Sequence, residues 1–314
     1  MEVEEKKGLI YDIKRDCSED GPGIRTVIFF KGCPLSCIWC HNPEGISPRA
    51  SVSYAEDRCN PGECGGFPCV DACETKALTI DYDTEKIKVD RDACTRCDNC
   101  FQVCKPKALE SVGNWWGVDD LVKRVLIDRN YFRSTGGGVT LSGGEPTLQM
   151  EFLHRLLIKL KKEGINIGLE TCGMFNLEQF KRAVLPYLDF IYFDLKLIDS
   201  EESRKYTGCS NEIIIKNFLF LYHDSGLPII PRIPLIPDIT TTDENLRGIR
   251  RFLEQHGVKG CSLMPYNPIW HGKAIKNGLD IKYSRTGFMS KAEVDRCVQY
   301  LSQTGKDSEE GQDS

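Results

Sequence analysis

The chain has 314 residues and carries 41 Lys and Arg against 46 Asp and Glu, a net charge of -5. That length fits one barrel-sized domain of roughly 200 to 250 residues plus a smaller module, and the acidic balance argues against a nucleic-acid partner. No run approaches the roughly 18 apolar residues of a membrane span, and the charged start MEVEEKKGLIYD lacks the apolar core of a secretion signal, so a cytoplasmic protein is expected, with no membrane partner. Sixteen cysteines in such a chain read as thiolate metal ligands rather than disulfides, and eleven of them fall between Cys33 and Cys104.

Short β-branched runs predict strands over 27–30, 139–142, 165–170, 189–195, 228–233 and 260–264. Between and after them, apolar periodicity predicts helices over 118–129, 148–163, 177–185, 211–224, 243–256 and 290–302. In the second of these, Leu148, Phe152, Leu156 and Leu160 recur every four residues. Alternation of this kind specifies βα units and a parallel sheet, and six units are too few for a closed eight-fold barrel. The expected fold is therefore α/β, an open partial (β/α)6 barrel built from residues 1–49 and 114–305, with a lateral opening wide enough for a bulky partner.

Residues 50–113 break that rhythm with eight cysteines among many Gly, Pro, Asp and Lys. Within this insert Cys69, Cys73, Lys76, Ala77 and Leu78 recur 31 positions later as Cys100, Cys104, Lys107, Ala108 and Leu109, which implies two equivalent half-modules. The final residues, 306–314, are polar and acidic without apolar anchors and are expected to be a disordered tail.

Cys33, Cys37 and Cys40 place three thiols in eight residues directly after the first predicted strand. A 4Fe-4S cube normally takes four cysteines, so three leave one iron open to an exogenous chelating ligand such as the amino and carboxylate groups of S-adenosylmethionine. A zinc site with His41 as a fourth ligand is the alternative. In the insert, Cys94, Cys97, Cys100 and Cys104, followed by Lys105 and Pro106, approach the bacterial ferredoxin run, in which the fourth cysteine ligates the other cluster. Cys59, Cys64, Cys69 and Cys73 form a looser second set. The crossed pattern assigns Cys59, Cys64, Cys69 and Cys104 to one cluster and Cys73, Cys94, Cys97 and Cys100 to the other; two zinc knuckles are again the alternative. Cys17, Cys172, Cys209, Cys261 and Cys297 stay unassigned and are expected to be small buried hydrophobes.

The C-x3-C-x2-C spacing with Trp39 before its last cysteine is the signature of the radical S-adenosylmethionine superfamily. Together with Asp20-Gly-Pro-Gly-Ile-Arg-Thr26, Lys31-Gly-Cys33 and Trp39-Cys-His-Asn-Pro43, it resembles the activating enzymes of glycyl radical enzymes, over nearly the whole chain. The resemblance implies a partial barrel and three 4Fe-4S clusters, two of them in a ferredoxin-like insert. It also implies S-adenosylmethionine as cosubstrate, reduced flavodoxin or ferredoxin as electron donor, and hydrogen abstraction from a glycine of a partner glycyl radical enzyme. A monomer is expected.

Barrel chemistry gathers where strands end. Gly143-Gly144-Glu145-Pro146 resembles the family motif at the methionine amino group, and its glycines allow close backbone approach. Glu170 with Thr171, and Asp194-Leu195-Lys196, match two further cofactor-binding stretches, and Lys196 suits the cofactor carboxylate; an ordinary rim ion pair is the alternative for Asp194 and Lys196. Trp39, Cys40 and His41 are also placed at the cofactor by the resemblance. Arg232 is suited to a carboxylate, with an ordinary surface arginine as the alternative. Where the family usually has a histidine near the ribose this chain has Asn267, with His271 as a second candidate, and Pro237-Asp238 stands where many relatives have Pro-Gly. Two other readings remain: a radical enzyme modifying a small molecule or peptide, and an electron-transfer or zinc-binding adaptor without chemistry of its own.

Overall fold

The structure is a computed structural model and describes residues 6–302; the expected tail at 306–314 lies outside them. Its strands are β1 (Gly8–Cys17), β2 (Arg25–Phe30), β3 (Ser51–Tyr54), β4 (Leu78–Asp81), β5 (Lys86–Val89), β6 (Leu109–Val112), β7 (Asn114–Trp116), β8 (Gly138–Gly143), β9 (Asn166–Thr171), β10 (Phe190–Asp194), β11 (Ile229–Leu235) and β12 (Ser262–Pro265). Eight of them form one sheet in the order β12-β11-β10-β9-β8-β2-β1-β7. From β12 to β2 every pairing is parallel. The six strands expected from sequence are these six, and β12 at one edge leaves the sheet open, as a partial barrel requires.

β1 and β7 are additions at the other edge, antiparallel to β2 and to β1. Neither was expected. After Ile10 the side chains of β1 are mostly exposed, so an edge strand with polar residues on its free face lacks the apolar run that marks the buried strands. β2, by contrast, is buried at all six positions, because one face lies inside the barrel and the other lies under helices.

The helix expected over 118–129 is broken into Val118–Leu126 and Arg129–Thr135. Asp128 sits at the break, buried, accepting from the Thr26 hydroxyl at 2.7 Å and paired with Arg15. Met150–Lys162 buries Phe152, Leu153, Leu156, Leu157 and Leu160 against the sheet, each contributing about 1.5 to 3 kcal/mol relative to exposure. Leu148 does not belong to that stripe: Pro146–Gln149 forms a 3-10 turn and leaves it 49 % exposed. Outside the insert, Ser200–Thr207 and Trp270–Lys276 escaped the periodicity, since one carries almost no apolar residues and both span about two turns.

At the amino end of the sheet Arg25 is fully buried, donating to Thr140 Oγ1 at 2.7 Å, Val139 O at 2.6 Å and Asn166 Oδ1 at 3.0 Å. It lies at the end of the sheet away from the strand ends that carry the chemistry.

The insert has its own apolar core, in which Val52, Tyr54, Leu78, Ile87, Ala108 and Leu109 pack with Cys69 and Cys104. β3 pairs with β6 and β4 with β5. The internal repeat is written into the backbone: Lys76 and Lys107 both adopt positive φ, 54° and 51°, and their amides donate to Cys73 O and Cys104 O at 3.0 and 3.1 Å. Each turn then delivers a buried Ala-Leu pair into a strand.

Candidate active site

The three-cysteine loop leaves β2 and is stitched to its surroundings by backbone hydrogen bonds. Gly32 N donates to Gly45 O at 2.7 Å and Cys33 N to Ile46 O at 3.0 Å; Ser36 N donates to Thr207 O at 2.8 Å and Ile38 N to Tyr206 O at 3.1 Å. The loop after β8 is sewn to the same place, with Gly144 N on Phe30 O at 2.8 Å and Glu145 N on Gly32 O at 2.7 Å. A Cβ on Gly144 would lie 2.1 Å from Gly32 O, and Gly143 has φ +107° with Phe30 N 2.5 Å from where its Cβ would be. Glycine is required at both positions to bring these loops together.

Between them opens a cleft of about 920 Å³ at the carboxyl ends of the parallel strands. Cys33, Cys37 and Cys40 form one wall with Trp39 and His41; Gly143, Gly144, Glu170, Thr171, Asp194, Lys196 and Arg232 come from successive strand ends opposite. Burial pushes the Cys37 thiol up to about 12 and raises Cys40 as well, so these sulfurs ionise only beside strong positive charge. His41 is held neutral by burial and the nearby Lys273, its pKa lowered to about 4, and its Nε2 is buried without a protein partner.

The polar wall is prearranged. Lys196 Nζ lies 2.7 Å from Asp194 Oδ2. Burial disfavours its ammonium, but the charges of Asp194, Cys37 and Cys172 outweigh that penalty and raise its pKa. Burial likewise raises the Glu170 carboxyl, against the opposing pull of Arg232, with which it forms an ion pair, and of the Ser142 hydroxyl. The Arg232 guanidinium also lies over the Tyr192 ring, 5.1 Å from its centroid, and its Nε is buried without a partner.

Comparison with known proteins decides what such a cleft belongs to. Residues 94–253 match the model of the radical SAM superfamily, and residues 19–60, which contain the three-cysteine loop, match that of a 4Fe-4S single cluster domain. The chain is 40 % identical over 272 residues to the trans-4-hydroxy-L-proline dehydratase activating enzyme of Clostridioides difficile, covering 85 % of this chain and 87 % of that one. It is 36 % identical to the isethionate sulfite-lyase activating enzyme of Desulfovibrio desulfuricans, over 84 % of each chain. With the indoleacetate decarboxylase activating enzyme of Tractidigestivibacter scatoligenes it shares 35 % identity, again over 84 % of each. The chain belongs to the radical SAM activating enzymes of glycyl radical enzymes. It is an enzyme, and the adaptor reading is set aside.

Most residues that the resemblance placed at the cofactor line this activating enzyme's cleft, but three do not. Glu145 is fully buried behind it, its carboxylate accepting from Thr171 Oγ1 and Cys172 N at 2.8 Å each, and from Thr147 Oγ1 at 2.8 Å and Thr147 N at 3.2 Å. All its acceptor positions are engaged by protein, so it ties the β8 loop to the end of β9. Leu195 is buried in the main apolar core. Asn267 is absent from the cleft lining, its Oδ1 accepting from Ile269 N at 3.1 Å; His271 is absent too, with Nε2 3.0 Å from Tyr283 O.

Two features went unread in the sequence. Cys172 lines the cleft, and its thiol holds that of Cys33 below its ordinary range. Among the other unassigned cysteines, only Cys297 is fully buried; Cys17, Cys209 and Cys261 are half-buried. The last carbonyls of the helix Ser200–Thr207 hold the cysteine loop, and Thr207-Gly208, a helix end with its glycine in left-handed conformation at φ +86°, was the available signal. Asp238, standing in for the relatives' glycine, itself adopts φ +63°, a region that Asp tolerates better than most residues.

In the insert, Cys59, Cys64, Cys69 and Cys104 line one small void of about 310 Å³. Cys73, Cys94, Cys97 and Cys100 line a second, of about 360 Å³. Burial pushes Cys69 and Cys100 up to about 11. Cys97 is exposed. Among the described residues no helix is long and apolar enough to cross a membrane.

Proposed function

We propose that Cys33, Cys37 and Cys40 hold a 4Fe-4S cluster whose fourth iron is left to S-adenosylmethionine, and that the insert holds two more clusters in the crossed split, Cys59, Cys64, Cys69 and Cys104 against Cys73, Cys94, Cys97 and Cys100. The observation that carries this reading is the cleft itself, three thiols from one loop facing polar groups from four consecutive strand ends. The donor set fits iron-sulfur clusters. All-thiol sets, three at the cleft and four at each cavity of the insert, are the ligand type that iron-sulfur cubes take. When bound, the first cluster supplies the electron that cleaves the cosubstrate, whose 5'-deoxyadenosyl radical takes hydrogen from the partner's glycine.

The chain's own residues bind and orient. The Lys196 ammonium, kept charged by Asp194, receives the cosubstrate carboxylate. Gly143 and Gly144 present bare backbone to its amino group. Glu170 with Thr171, and Arg232 with its unpartnered Nε, complete the polar wall, while Trp39 and His41 bound the cleft beside the thiols. Reduced flavodoxin or ferredoxin delivers the electron, the insert relays it, and the chain works as a cytoplasmic monomer.

The test is anaerobic reconstitution, reduction, and mixing with the glycyl radical enzyme encoded beside this chain. An EPR doublet from a glycyl radical is expected. Cosubstrate cleavage without a doublet on any such partner would defeat the assignment.

A further inference from the structure

Between the insert and the barrel lies a second, larger cleft, with about 1460 Å³ of empty space, that the cosubstrate site does not use. One wall carries Cys94 and Arg96, which also line the second cysteine void of the insert. The opposite wall carries Glu44, four residues beyond Cys40. The cleft therefore abuts both a proposed relay cluster and the loop of the reacting one.

Its charge is opposite to that of the chain. Lys31, Arg49, Arg91 and Arg96 line it against Glu44 and Asp92, in a protein of net charge -5. Arg91 donates only to carbonyls, Val52 O at 3.3 Å and Lys276 O at 2.9 Å, and neither Arg91 nor Arg49 is in an ion pair with any described residue. Arg96 has one, to Asp98 at 3.4 Å. Glu44 is already neutralised by Lys273 at 3.0 Å. At the rim Trp115 is 62 % exposed, an aromatic of the kind that anchors protein interfaces.

Resting on the cluster assignment above, we propose that this cleft is the docking surface for an acidic one-electron carrier protein. Surplus positive charge steers such a carrier and fixes its orientation, and the Trp115 ring supplies apolar contact. In the docked complex the carrier is oxidised by one electron, and the cluster at Cys73, Cys94, Cys97 and Cys100 is reduced by one; no proton or group moves.

The experiment compares two reductants on the full, reconstituted enzyme. Formation of 5'-deoxyadenosine is measured with dithionite and with reduced flavodoxin or ferredoxin, for wild type, Arg49→Glu, Arg49→Lys and Trp115→Ala. With the protein donor, Arg49→Glu and Trp115→Ala are expected to slow the reaction by about tenfold at low salt, Arg49→Lys much less, and added salt to slow wild type toward Arg49→Glu. The dithionite rates should match wild type for all three. Unchanged protein-donor rates overturn the proposal, as do dithionite rates that fall in parallel. So does loss of glycyl radical formation under dithionite with cleavage intact, which would give the surface to the partner enzyme. Failure of wild type to cleave the cosubstrate with dithionite would instead strike the proposed function.

Discussion

The barrel mouth and the insert both gather cysteines, but they enclose very different spaces. Three thiols at the mouth occupy one wall of a cleft of about 920 Å³ whose other wall is Glu170, Asp194, Lys196 and Arg232. Each set of four in the insert rings a smaller space of about 310 or 360 Å³, lined by apolar side chains such as Ile87, Leu109, Val52 and Phe101 and, in the second, also by Thr75, Thr95, Arg96 and Asp98. A thiol set of three that faces polar atoms without partners suits a site that receives a further ligand, whereas a set of four around a small space suits one that holds a cluster and passes charge. On the proposed cluster assignment the same residue type serves chemistry in one place and conduction in the other, and the number of sulfurs and what surrounds them make the difference.

That contrast breaks first at Cys37. Cys37→Ala should abolish 5'-deoxyadenosine formation with any reductant while leaving about eight of about twelve irons, by four-iron stoichiometry. Iron analysis beside a cleavage assay checks both halves. Cys69→Ala is the mirror experiment: about four irons should be lost, dithionite-driven cleavage should persist, and the rate with a protein donor should fall. If both variants lose cleavage equally with dithionite, the division of labour between the two regions is wrong.

A smaller effect sharpens what the open wall does. Lys196→Met removes a charge-assisted contact worth about 1.5 to 3 kcal/mol, so the dissociation constant for S-adenosylmethionine should rise roughly 10- to 100-fold. Equilibrium binding to the reconstituted protein measures it. Because Lys196 is 2.7 Å from Asp194, the rim ion-pair alternative predicts instead a change in stability with little change in binding.

Much of this was legible in the chain, and the gaps have physical causes. Among the six parallel strands, β2 and β8 were the most readable because burial on both faces makes them near-continuous apolar runs. β1 was not, since its exposed outer half carries charge. At the site, spacing announced the three-cysteine loop and the repeat announced the paired insert cysteines, because local ligand geometry is encoded locally. The place of Glu145 behind the cleft was hidden for the opposite reason: its motif is local, but the partners of its carboxylate, Thr171 and Cys172, lie 26 and 27 residues away. Cys172 escaped for the same cause, its place at the cleft being set by how β9 ends against the loop of β2.

Asn267 gives the smallest expected effect and the sharpest test of reading roles by analogy. Relatives usually place a histidine here near the ribose, yet this asparagine spends its Oδ1 on Ile269 N, three residues before the helix Trp270–Lys276. A side chain so engaged in a local turn stabilises the chain's exit from β12, and its substitution should be felt there rather than at the cosubstrate. Asn267→Ala is therefore expected to lower stability by about 0.5 to 1.5 kcal/mol, the range for one lost hydrogen bond, while S-adenosylmethionine affinity and cleavage stay within about twofold, well below the tenfold that 1.4 kcal/mol of lost contact would cause. A tenfold loss of affinity at unchanged melting temperature would return Asn267 to the cleft, and with it the ribose contact that the family pattern implies.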